Sequence, residues 1–98
     1  MKVISENETL IEGMWVVTDD QISSNEACKR IEWLITDIFK LIRVDVSGWE
    51  KLYQDPKDQR FWLLYYPQGE MHGGGPPSLM EMTYKDAELR FNAKNTYT

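Results

Sequence analysis

An α+β fold, with a small antiparallel sheet packed on one long amphipathic helix and a short C-terminal helix, is what this sequence predicts. Three observations carry that prediction. One stretch repeats apolar residues at three- and four-residue spacing, several short β-rich runs are separated by turn residues, and 98 residues leave room for one modest core. Hydrophobic residues at 42% and charged residues at 28% give the balance of a globular protein, so one domain spanning 1–98 is expected, with a frayed polar tail at 92–98.

Taken in chain order, Met14-Trp15-Val16-Val17 is a β-rich run stopped by the turn residues Asp19 and Asp20, and reads as a strand. From Ser23 to about Arg43, Ile31, Leu34, Ile35, Ile38, Leu41 and Ile42 recur with helical period, which predicts an amphipathic helix. Ser23 and Glu26 have capping-box spacing, and Ile22 and Ala27 can form a hydrophobic staple, so the helix is expected to start at Ser23. Trp49 to Gln54 and Arg60 to Tyr66 read as the arms of a hairpin around Asp55-Pro56-Lys57-Asp58, where proline presets a turn dihedral. The second arm is apolar on both alternating faces, as a central strand would be; beyond the helix, its second face needs cover from the chain ends, the loop after Pro67 or a partner. Leu79 to Thr83 reads as a further strand and Lys85 to Phe91 as the terminal helix, giving the order β-α-β-β-β-α.

The residues that carry chemistry are sparse. Cys28 is the only cysteine and His72 the only histidine, so an intramolecular disulfide, a cysteine metal cluster and a motif-based catalytic triad all lack their parts. Neither a cofactor nor a metal is expected. Cys28 falls on the apolar stripe of the helix, where a buried, inert thiol is the default. No apolar run at the N-terminus is long enough for a signal peptide or a membrane span, and the expected location is the cytoplasm. The formal charge of -5 disfavours direct nucleic-acid binding and favours basic partners.

Gly73-Gly74-Gly75-Pro76-Pro77 looks like a phosphate loop only superficially, because it lacks the following Lys and Ser/Thr and two prolines remove N–H donors. It reads as a tight connection. Arg60, Trp62 and Tyr66 alternate on one strand face, a pattern of packing with cation-π support. Trp33 stands roughly 200° around the helix from Ile31, opposite the apolar stripe, so either another segment covers it or it anchors a partner.

Gly13 with Trp15, Cys28-Lys29-Arg30-Ile31-Glu32-Trp33-Leu34-Ile35, Ser47-Gly48-Trp49, Leu52-Tyr53 with Asp55-Pro56, Arg60 with Trp62, Tyr66-Pro67-Gln68 and His72-Gly73-Gly74-Gly75-Pro76-Pro77 resemble, in that order, the Immunity protein 27 family. The last block is the most distinctive. The resemblance implies a bacterial protein encoded beside a polymorphic or contact-dependent growth-inhibition toxin, which binds and inhibits the toxin's C-terminal domain, commonly a nuclease, in the cytoplasm. Contact candidates come from side-chain chemistry: Asp19, Asp20, Glu26, Asp37, Asp55 and Asp58 toward a basic toxin, Arg30 and Trp33 as anchor types, and His72 from the distinctive block.

Two other function classes stand beside this one. A small-molecule or carbohydrate site would use Trp49, Trp62, Tyr65 and Tyr66 as stacking surfaces, and a hydrolase would centre on His72. The immunity reading predicts a non-catalytic protein and a large secreted product of variable C-terminus in the upstream reading frame.

Overall fold

The computed structural model describes residues 2–18, 21–69 and 75–92, and only the backbone of 16–18, 21–24 and 92. Asp19, Asp20, His72, Gly73, Gly74 and the tail beyond 92 lie outside the described residues. The element order is β1 (Leu10–Glu12), β2 (Trp15–Thr18), β3 (Gln21–Ser24), α1 (Glu26–Trp33) continued by a π-helical turn (Leu34–Ile38), β4 (Lys40–Val44), β5 (Lys51–Gln54), β6 (Phe61–Tyr65), β7 (Ser78–Met82) and α2 (Tyr84–Asn92). Strands β4 to β7 form an antiparallel meander and β1 pairs with the far side of β7, giving one sheet in the order β1-β7-β6-β5-β4. A separate antiparallel hairpin joins β2 to β3. The fold is α+β, as predicted, with β1, β3 and β4 added to the expected strands.

The predicted helix is too long at both ends. Ser23 belongs to β3, and the cap is Asn25, whose Oδ1 accepts the Cys28 backbone N–H at 2.9 Å and the Met14 N–H at 3.2 Å. At the other end the Phe39 N–H reaches back to the Leu34 carbonyl at 2.7 Å, the five-residue step of a π turn, and Phe39 itself is extended with ψ 156°. Leu41 and Ile42 continue the helical spacing only by coincidence. They lie on β4, whose Leu41 pairs with Tyr53 of β5 and whose register slips at Ile42.

β6 is the central strand and is clothed on both faces. Trp62 and Leu64 look toward α1, in a cluster with Ile31, Leu34, Phe39, Tyr53, Leu79, Ile11 and Ile4. Leu63 looks the other way, onto Leu52 and onto Ala87 and Phe91 of α2. The terminal helix is therefore the cover that the second face required. Ile31 and Leu34 are fully buried, each worth about 1.5–3 kcal/mol of apolar transfer, which holds α1 on the sheet despite its short length.

Candidate functional site

The segment from Lys2 to Glu8 has no regular structure, so its carbonyls need partners from elsewhere. Three cations supply them. Arg30 donates through Nε to the Lys2 carbonyl (2.8 Å) and through Nη2 to Val3 (2.9 Å), Lys57 Nζ donates to Ile4 (2.8 Å), and Arg60 donates to Ser5 (2.9 Å) and Glu8 (2.8 Å). Arg30 also grips both Glu8 carboxylate oxygens at 2.7 Å, and that hydrogen bond holds the Glu8 carboxyl down at about 2. Ile4 meanwhile fills the core. The segment is a strap tying α1 to the β5–β6 turn, and Arg30, predicted as a contact residue, spends four N–H groups on it.

The other predicted residues that are described fall in two places. On the outer face of α1, Glu26 and Asp37 are exposed, and Trp33 is half-buried, resting on the core cluster while lining an open depression of about 270 Å³ with Lys29, Glu32, Thr36 and Asp37. Glu26 lies 3.8 Å from Lys29, an exposed pair of little energetic weight. In the β5–β6 turn, Asp55 is buried and its carboxylate accepts the Lys57 backbone N–H at 2.9 Å, while its carbonyl accepts from Gln59, whose φ is 70°. Asp55 is thus a turn former. Burial alone would raise the Asp58 carboxyl, but the Arg60 backbone N–H and guanidinium outweigh it and hold the group down.

The aromatic residues also separate. Trp62 is completely buried, with Phe39 stacked at 6.1 Å and the Arg60 guanidinium 5.1 Å from its ring centre, so it offers no stacking platform to a sugar. Trp49 is exposed and meets Tyr66 edge to face at 5.3 Å. Cys28 is buried, with its thiol 3.4 Å from the Met14 carbonyl, and among the described residues no group of three His, Cys, Asp or Glu is placed to hold a metal.

Sequence reasoning missed the β4 edge. Leu41, Ile42 and Val44 are 49%, 36% and 41% exposed, and Val46 and Trp49 just beyond them are 67% and 54% exposed. Among the described residues β4 pairs only with β5, and none of them pairs with its outer side. Beside it runs a groove of about 150 Å³ between β4 and α2, lined by Ile42, Arg43, Leu52, Phe61, Tyr84, Ala87, Glu88 and Phe91. The available signal was Lys40-Leu41-Ile42-Arg43-Val44, in which cations flank aliphatic residues as on many edge strands.

Residues of the distinctive blocks converge on a cleft of about 290 Å³ between α1 and the sheet, where Trp15, Cys28, Ile31, Ile35, Tyr66 and Pro77 meet. Gly13 sits beside it because no Cβ fits between the Pro77 carbonyl, which accepts the Gly13 N–H at 2.9 Å, and the Cys28 sulfur. These blocks hold the β1–β2 link, α1 and the chain before β7 together. A family model described as Immunity protein 27 matches residues 17–83. No curated protein and no solved structure matches the chain.

Proposed function

The chain belongs to the Immunity protein 27 family, and from that premise we propose that it binds the C-terminal domain of a toxin encoded beside it, a nuclease domain with a basic surface, in the cytoplasm of the producing cell. Toxin neutralisation is the function that membership gives it. The observation that carries the finer reading is the outer face of α1, where the exposed carboxylates of Glu32 and Asp37, together with Lys29, line the depression at a half-buried Trp33, and Glu26 lies beyond Lys29 on the same helix. A ring of solvated charge around a partly desolvated aromatic is the arrangement of an interface anchor, and acidic groups complement the surface a nuclease presents to its polyanionic substrate. Protection is stoichiometric on this reading and needs no turnover. It operates in contact-dependent growth inhibition or a related polymorphic toxin system.

The test is to co-express the chain with the C-terminal domain of the adjoining upstream reading frame. Cell survival together with a purified one-to-one complex is expected. Death of the co-expressing cells, with both proteins folded, would reject the reading.

A further inference from the structure

We propose that the β4 edge and the groove between β4 and α2 receive an extended, carboxylate-bearing strand of the partner toxin, which adds to the sheet as a sixth strand. The inference rests on the immunity reading and assigns it a second, separate surface.

Three observations meet there. The first is the backbone: among the described residues β4 ends the sheet, so its outward N–H and C=O groups offer a ready ladder to another strand. The second is the apolar surface on either side of that ladder. Cross-strand partners share a face, so Leu41 and Val44, opposite Tyr53 and Lys51, lie on the α1 side, while Ile42 and Arg43 line the groove on the α2 side. A strand laid along β4 would alternate its side chains between the groove, floored by Leu52, Phe61 and Phe91, and the exposed Leu41 and Val44. Main-chain pairing supplies affinity in this mode and the groove supplies selection.

The third observation is charge, and it chooses the occupant. Lys40 and Arg43 are exposed on this edge and neither has an ion-pair partner among the described residues, in a chain whose net charge is -5. Two cations on an edge discourage a second, equally charged copy from pairing with it and favour a strand that places carboxylates opposite them. The edge is also contiguous with the acidic face of α1. Asp37 and Lys40 are three residues apart and so at most about 11 Å apart along the chain, within the footprint of one partner. Opposite charges on adjoining surfaces fix the orientation in which one toxin domain can approach.

The experiment uses the full chain and the toxin domain of the adjoining reading frame. Backbone hydrogen exchange at positions 40–44 is compared free and bound, and affinity is measured for wild type, Arg43→Glu and Ile42→Ser, two exposed positions whose folding is checked by thermal melting. New protection at 40–44 and a loss of roughly tenfold or more in affinity for each variant are expected. Wild-type binding with no added protection, or with both folded variants binding as wild type does, overturns the edge proposal and leaves the immunity reading standing. A wild-type chain that does not bind this domain overturns both. Protection that rises with concentration in the free protein assigns the edge to a second copy, and protection in the free monomer assigns it to another part of this chain; each result also overturns the proposal.

Discussion

Arg30 shows how a residue type suited to an interface is consumed by folding. Its guanidinium is the fixed end of the strap, and Glu8 is ionised there at a pH where an ordinary glutamate is half protonated. A carboxyl whose folded pKa lies below its unfolded value contributes stability above the unfolded value, and that contribution is lost as pH falls through the folded one. The Glu8 contribution is therefore present above about 4.5 and fades toward about 2. Glu8→Gln is expected to cost about 1–3 kcal/mol at neutral pH, the range for losing hydrogen bonds to a charged group, and to flatten the acid limb of a stability profile between those values. Chemical denaturation at a series of pH values checks both; an acid limb identical to wild type would detach Glu8 from the strap's stability. Gly13 makes a second residue-scale case. Gly13→Ala forces a methyl against the Pro77 carbonyl and Cys28 sulfur, and overpacking of that kind costs about 1–3 kcal/mol, read as a lowered Tm. An unchanged Tm would mean that this junction yields easily.

At the scale of elements, β2, β5, β6, β7 and α2 were legible, the strands because β-rich runs bounded by Asp, Pro and Gly have few alternative conformations, whereas β1 and β3 were not. α1 and β4 were not separable, because Ile31, Leu34, Ile35 and Ile38 project a helical stripe that Leu41 and Ile42 extend by spacing alone, and neither proline nor glycine marks the junction at Phe39. What ends the helix is pairing of β4 with β5, a nonlocal contact that periodicity cannot register. Misplacing β4 also hid the groove, which exists only once Arg43 and Glu88 are brought together from distant parts of the chain. The start of α1 was misread for a local reason: Ser23 and Asn25 are both good caps, and the β2–β3 hairpin claims Ser23. Asn25→Ala is accordingly expected to cost about 1–2 kcal/mol, since the side chain holds both the first turn of α1 and the Met14 N–H. A urea titration measures it, and a cost below a few tenths would return the cap to another residue.

For the whole molecule, composition disclosed the sign of the charge but not its distribution. Of the acidic candidates inside the described residues, Asp55 is spent on a turn and Asp58 on Arg60, while Glu26 and Asp37 stay exposed on α1 with Glu32 between them. The cations Lys40 and Arg43 gather at the sheet edge instead. A molecule so divided should separate the rate of encounter from the lifetime of the complex. Exposed charges act over about 8 Å at physiological salt, so they steer approach and are screened as salt rises. The half-buried Trp33 acts only at contact, and contacts of that kind govern dissociation. Reversing Glu26 and Asp37 together to lysine is therefore expected to slow association with the toxin domain by roughly tenfold at low salt and to shrink the salt dependence, with dissociation little changed. Trp33→Ala is expected to speed dissociation by about tenfold and to leave the salt dependence intact. Stopped-flow binding across a salt series reads both constants for both variants. An association rate indifferent to salt in the wild type would defeat steering by α1, and unaltered dissociation in a folded Trp33→Ala protein would place the anchor elsewhere, with the β4 edge as the next surface to probe.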